Sequence, residues 1–452
     1  MTDTASISSD RELLAVLYEA AIAGAAPEPV TERAVAALPI ERSSRVWLFS
    51  IGKAATSMAR GALASLLRER RTVAGGVVVS AELAPSPYGT LTALRGDHPI
   101  PGALSLAAAK RIGEVSKGRR GNDVAIVLVS GGTSSLVAAP ITGLGEEELT
   151  RLFQLLLESG LDIAAMNAIR KRFTRWGAGR LALALAPAAT HCLAISDVVG
   201  DDPATIGSGP CSPDKYTAQD ILALLGHADL LQRIAPSYRQ HLESASRGTA
   251  PETPKAGHPA FAHVTHKVIV DNRAALRAAA ARASALGIGT VEVASAPVTG
   301  DAAERGAAIA RELLAARSND AGGAGDWCRL WGGETTVRLD ASVAAPAGGR
   351  CQELALSAAR VLYEAGDDAL GISLLAAGTD GRDGPTDAAG ACVDSSTWRA
   401  IAATGLDPAR ALADHGAYAA LDAVGALIRR GPTGTNVMDV IVGLVGKRAL
   451  RA

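Results

Sequence analysis

The chain has 452 residues, 48% hydrophobic and 20% charged, with 48 glycines and few aromatics; this composition folds as a closely packed α/β protein and excludes a disordered chain. The length exceeds what one ordinary core holds, so two domains are expected. Lysine plus arginine number 45 against 46 aspartate plus glutamate, which leaves no global field for nucleic acid or an anionic membrane, and any anion has to be held locally.

The opening MTDTASISSDRELL is polar and acidic, without a basic stretch ahead of an apolar core, so a cytoplasmic protein is expected. Short β-type runs then alternate with Ala-rich helical stretches, the pattern of parallel α/β layers. RVWLFSIG (45–52), GGVVVS (75–80), VAIVLVSGG (124–132) and HCLAISD (191–197) each read as a strand running into a turn. Residues 222–250 read as helical and charged, and the Pro- and Gly-rich GTAPETPKAGHPAF (248–261) as a connector. The domains are therefore expected at 1–250 and 262–452. KVIVDN, TVEVAS, CRLWGGE, LGISLLAAGTDG and VMDVIVGLV form a second strand series. The expected fold is α/β, with a Rossmann-like, largely parallel first domain, a smaller mixed second domain and a cleft between them. The five cysteines, Cys192, Cys211, Cys328, Cys351 and Cys392, form no C-x-x-C pair and read as reduced thiols. The histidines lack zinc-type spacing.

Ligands of open parallel sheets collect beyond the carboxyl ends of the strands, and these ends are rich in candidate residues. SIGKAATS places Gly52 and Lys53 at a helix start, where an ammonium meets phosphate. SGGTSS, with Ser130, Gly131, Gly132, Thr133, Ser134 and Ser135, reads as a phosphate cradle or, equally, as a capped strand-to-helix turn. ISDVVGDDPATIGSGP sets Asp197 at a strand end with Asp201 and Asp202 behind it, as carboxylates for Mg²⁺ or a proton, or as turn-formers. NAIRKRFTRWGAGRLA crowds Arg170, Lys171, Arg172, Arg175 and Arg180, either as anion-binding guanidiniums or as a solvated basic face. WGGETT and GGRCQE each join a diglycine to a charged side chain, Glu334 and Arg350, and read as backbone approaching a ligand. GTDGRDGPTD gathers Asp380, Asp383 and Asp387, a cluster that calls for a cation, with Arg382 as an internal counter-charge.

GKAA, GDHPIPG, SGGTSS, SDVVGDDPATIGSGP, GGET, GGRCQELAL, GTDGRDGPTDAAGA and TGTNVMD occur in this order from about Leu13 to Val445. Together they resemble the glycerate 2-kinase family with its C-terminal MOFRL domain, which also carries a hydroxypyruvate reductase name. The resemblance implies transfer of the γ-phosphoryl of ATP, with Mg²⁺, to the 2-hydroxyl of D-glycerate; small molecules are the expected partners, and a homodimer is a candidate assembly. It ties activity to Lys53 and Arg350. Asp197 and Asp380 are further expected to be catalytic, and Asp380, Asp387 and Asp197 to hold the metal. Gly52, the 130–135 turn and Glu334 are expected at the nucleotide, and Arg170, Arg172, Arg175 and Asn436 at the hydroxy acid. Where the family reads VRKHLSxIKGGRLA this chain has IRKRFTRWGAGRLA, so Arg172 stands at the histidine position and Gly177, Ala178 and Gly179 at KGG. Cys351, the SGGTSS turn and Met438 also depart from the family pattern. A reductase would need G-x-G-x-x-G after a strand, which the chain lacks. A catalytically silent nucleotide- or hydroxy-acid-binding member is the third reading.

Overall fold

A computed structural model describes residues 9–83, 89–319, 325–337 and 347–446. The chain forms two compact units, one of residues 27–270 and one joining the N-terminal residues up to Ala26 to residues 271–452.

The 27–270 unit is built on β1 (Arg45–Ile51), β2 (Val73–Ser80), β3 (Leu91–Arg95), β4 (Asp123–Val129), β5 (Ala189–Ile195) and β6 (Val264–Val270). All six are parallel, in the order β3-β2-β1-β4-β5-β6. Every residue of β4 is buried, so DVAIVLV shows an unbroken apolar run rather than the alternation of a half-exposed strand. Asp123 at its entrance is met by Arg45 through two hydrogen bonds of 2.8 and 2.9 Å. Phe49, Ile51, Val127 and Val129 pack with Leu181 and Leu185 on one face of the sheet. A separate helical core gathers Leu149, Phe153, Ile169, Phe173, Tyr238 and Leu242.

The other unit holds β7 (Thr290–Val293), β8 (Val298–Asp301), β9 (Trp327–Thr336), β10 (Ile372–Gly378), β11 (Gly390–Asp394), β12 (Leu427–Ile428) and β13 (Asp439–Val445). Its sheet is mixed, ordered β12-β11-β10-β13-β9-β7, with β8 also on β9. The helix Arg350–Glu364 buries ten of its residues, Cys351 to Ala359 and Leu362, in the core of this unit. The helix Asp10–Gly24 buries Leu14, Leu17, Tyr18, Ala21 and Ile22, and Gly24 lets it come against Ala278 of the helix Asn272–Ala285, where a Cβ would collide.

Two features differ from the sequence expectation. KVIVDN does not open the second strand series; as β6 it pairs in parallel with β5 and completes the first sheet. The first helix joins the C-terminal sheet, where Tyr18 donates to Gly378 O at 2.5 Å. Both follow from long-range pairing that local composition does not encode. Residues 10–36 have the length and hydropathy of a membrane-crossing segment. They form two helices, Asp10–Gly24 and Pro27–Ala36, and each buries an apolar face in its own unit.

Candidate active site

In the 27–270 unit the strand order reverses between β1 and β4, and open α/β sheets take their ligands outside the carboxyl ends at such a point. Gly52 and Lys53 leave β1 there, and Ser130 to Gly132 leave β4. The two turns are laced together: Lys53 N donates to Gly131 O at 2.8 Å, Ser130 N to Ile51 O at 3.1 Å, and Ala54 N to Ser130 Oγ at 3.1 Å. Gly52 has φ +131°, and a Cβ on it would collide with Ser130 Oγ, so no other residue fits this crossing.

The 130–135 turn is only partly the cradle expected. Its helix is a single turn, Thr133–Leu136. The Thr133 hydroxyl is 2.8 Å from Ser130 O and 2.9 Å from Ile51 O, that of Ser135 donates to Gly132 O, and Ser134 pairs with Ser208 at 2.6 Å. These hydroxyls therefore hold the turn in shape. The backbone N–H groups of Gly131, Gly132, Thr133 and Ser134, by contrast, donate to no group among the described residues.

Sequence reasoning passed over His98, although GDHPIPG was in view. Asp97 of that motif accepts from Leu104 N and Ser105 N and so caps the next helix. The capping presents His98 to Gly132: a Cβ on Gly132 would lie 3.1 Å from His98 Cδ2 and 3.3 Å from Lys53 Cγ. His98 is open to solvent on one side. Its imidazole is nevertheless held down to about 4, first by the protein packed around it and then by the cations Lys53 and Arg170. It is neutral at pH 7.

The arginine cluster separates into different roles. Lys171 and Asp214 form a buried pair at 2.8 Å. Arg172 is fully buried and ion-paired with Glu252, with Thr253 beside it. Arg180 donates to the carbonyls of Lys171, Arg172 and Thr174. Arg175 is exposed and lies over the Trp176 ring at 5.0 Å. Arg170 is 8% exposed and rests on the Phe153 ring at 4.8 Å; its Nε and Nη2 have no hydrogen-bond partner among the described residues. Burial lowers its pKa, and among the described residues no carboxylate pairs with it. Asp197 lies half-buried just beyond β5.

In the other unit Arg350 opens its helix and forks onto Asp439, the first residue of β13, at 2.6 and 2.8 Å, while its Nη1 lies 3.3 Å from Glu334. Burial works against the charge of Arg350, but Asp439 and Glu334 outweigh it and hold the guanidinium firmly protonated. Asp439 was not anticipated, yet a carboxylate heading the apolar strand DVIVGLV requires a cationic partner. The diglycines are packed closely within their own unit. A Cβ on Gly332 would strike the Asn272 amide, which itself donates to Val437 O and Asp439 O, and one on Gly349 would strike the Asp383 carboxylate.

The three loop aspartates diverge. Asp383 is buried and accepts the first N–H groups of the Arg350 helix, from Cys351 at 3.1 Å and Gln352 at 2.8 Å; burial, with Asp439 nearby, raises its pKa to about 6. Asp387 is exposed and engaged by Tyr418 at 2.7 Å and Arg429 at 3.1 Å, so Arg429, not Arg382, is its counter-charge. Asp380 is half-exposed, with one oxygen accepting Arg382 N at 3.0 Å. Asn436 accepts from Met438 N at 3.2 Å and shapes the turn into β13, where Met438 has φ +68°. Among the described residues no three His, Cys, Asp or Glu side chains gather as a metal cage. Mg²⁺ needs no cage when one or two carboxylates act with substrate phosphates, and Asp380 fits that lesser requirement.

Residues 13–243 match the domain of unknown function DUF4147, and residues 327–439 match the MOFRL family. A D-glycerate 2-kinase of Thermotoga maritima is 35% identical over 90% of this chain and 92% of its own length. The chain belongs to the glycerate 2-kinase family. A solved glycerate kinase structure from Thermotoga maritima superposes with a TM-score of 0.82 at 33% identity, covering 96% of this chain and 99% of that one. A relative from Agrobacterium vitis, 35% identical over 97% of this chain and 95% of its own, bears the provisional name hydroxypyruvate reductase.

Proposed function

We propose that the protein is an ATP-dependent glycerate kinase that phosphorylates the 2-hydroxyl of D-glycerate. The observation that carries this reading is the anion-receiving group at the β1/β4 switch point, on a chain whose relatives include glycerate kinases: exposed Lys53, four N–H groups at 131–134 unspent among the described residues, and buried Arg170, whose Nε and Nη2 have no hydrogen-bond partner among them. The N–H groups and Lys53 receive phosphate, because backbone dipoles and a compact ammonium meet its charge without reorganising. Arg170 receives the carboxylate through two parallel bonds. His98, neutral beside it, accepts a hydroxyl proton or hydrogen bond from the acceptor. Of Arg170, Arg172 and Arg175, the carboxylate role therefore narrows to Arg170, because Arg172 is already paired inside the unit and Arg175 lies on Trp176. In the other unit, Arg350 is a positive charge held in place by Asp439 and Glu334, and Asp380 is a carboxylate that a metal would meet. Mg²⁺, when bound with ATP, would neutralise charge on the transferring phosphoryl.

The first sheet has the strand order of dinucleotide-binding folds, which keeps the reductase reading in play, but its first turn is SIGKAA and lacks the glycine fingerprint. One experiment separates the readings. Purified protein is given ATP, Mg²⁺ and D-glycerate while ADP is followed, with NADH and hydroxypyruvate as the parallel reaction. ³¹P NMR of the product distinguishes phosphorus coupled to the single C2 proton from phosphorus coupled to the C3 pair. NADH consumption without ADP formation would overturn the proposal.

A further inference from the structure

Cys192 lies in β5 directly across from His266 of β6, with their Cα atoms paired in the parallel register. Neighbouring parallel strands turn paired residues to the same face, so the Cys192 thiol and the His266 ring are neighbours, and Cys211 packs in the same buried cluster as Cys192 and acts on its thiol together with His266. Cys192 and Cys211 are buried in the sheet core; Cys192 keeps 6% exposure and lines a small recess with His266, Lys267 and Pro210, and His266 is exposed. Nothing in the proposed kinase chemistry uses these groups. A thiol flanked by an imidazole and a second thiol is the arrangement in which a cysteine reacts as thiolate and a neighbour resolves the product.

We propose that Cys192, Cys211 and His266 form a hydroperoxide-reactive thiol site, with Cys192 the attacking thiol and Cys211 the resolving one. The Cys192 thiolate attacks the terminal oxygen of a hydroperoxide, forming S–O and breaking O–O; the departing alkoxide or hydroxide takes its proton from the His266 imidazolium. Cys211 then attacks the sulfenic sulfur. S–S forms, S–O breaks, and hydroxide leaves with the Cys211 proton as water. Two thiols supply the two electrons that reduce the peroxide. The bridge joins β5 to the segment whose Ser208 holds Ser134, so it ties the strand to the turn at the candidate active site.

The charge environment agrees with this division of labour. Cys211 first, and His266 after it, hold the Cys192 thiol below its ordinary range against the opposing effect of burial, whereas burial pushes Cys328 and Cys392 up to about 12.

The test needs no variant to begin. The full chain is treated with limiting hydrogen peroxide, remaining thiols are alkylated, and the peptides are mapped by mass spectrometry. A Cys192–Cys211 cross-link that forms before any oxidation of Cys328 or Cys392 is expected. Oxidation spread evenly over the five cysteines, or beginning at Cys328, Cys351 or Cys392, overturns the proposal. Cys211→Ser should leave Cys192 as a sulfenic acid that dimedone captures. A dimedone adduct that instead stays absent, in protein whose thermal unfolding matches the unaltered chain, removes Cys192 as the attacking thiol.

Discussion

Replacing Arg170 by methionine separates a binding arginine from a structural one, because the two roles predict opposite effects on stability. Methionine keeps an apolar stem on Phe153 and removes a guanidinium whose Nε and Nη2 are buried without partners. Relief of an unsatisfied buried polar group is worth ~1–3 kcal/mol. Loss of the cation–ring contact costs ~1 kcal/mol, so the ligand-free protein should keep its stability or gain about 1 kcal/mol, which for a unit of this size moves Tm by roughly 2–4 °C. With substrate bound, two charge-assisted hydrogen bonds of ~1.5–3 kcal/mol each disappear, so KM for glycerate should rise on the order of 10²- to 10⁴-fold. Arg172→Met is the matched control. It strips the partner from Glu252, which is 32% exposed and partly solvated, and should lose ~1–3 kcal/mol of stability with KM unchanged. Initial rates of ADP formation against glycerate concentration, with thermal unfolding of the same samples, read both quantities. A lower Tm with wild-type KM for Arg170→Met would refute the assignment and make Arg170 a structural cation.

Lys53→Ala should reduce kcat on the order of 10²-fold, with the KM for glycerate changed little, because its charge is used as negative charge develops on the phosphoryl group; a pure KM effect in the same rate assay would place Lys53 in ground-state binding. Asp380→Asn should lower turnover and raise the Mg²⁺ concentration for half-maximal rate, whereas Asp387→Asn, which only loosens an exposed Tyr418–Arg429 contact, should leave both near wild type; equal Mg²⁺ responses in the two variants would return the loop to a purely structural role. Asp383, with its folded pKa near 6 and an ordinary unfolded value of ~3.9, binds its proton more tightly when folded. Its contribution therefore favours the folded unit at low pH and is lost as pH rises from about 4 to 6, by up to a few kcal/mol. Urea unfolding across that range should show this slope in the unaltered chain and a flatter one in Asp383→Asn; identical slopes would reject the assignment.

The alternation of apolar runs with Ala-rich stretches determined the α/β class, and it marked the strands that became β1, β2, β4, β5, β9, β10 and β13, because burial on both faces writes itself locally as continuous hydrophobicity. The ordered motifs determined the family. Strand partners were not legible: β6 follows the Pro-rich connector yet pairs with β5, and the first helix crosses the whole sequence to place Tyr18 on Gly378. The same holds within the site. In sequence Arg170, Arg172 and Arg175 are three equivalent cations, and Asp380, Asp383 and Asp387 three equivalent anions. Only the tertiary structure distinguished them, by giving Arg172 to Glu252, Asp383 to the N–H groups of a helix and Asp387 to Arg429, while leaving Arg170 without a carboxylate among the described residues. Residue type fixes what charge and hydrogen bonds a side chain can offer, but which of them remain for a ligand depends on neighbours hundreds of residues away along the chain.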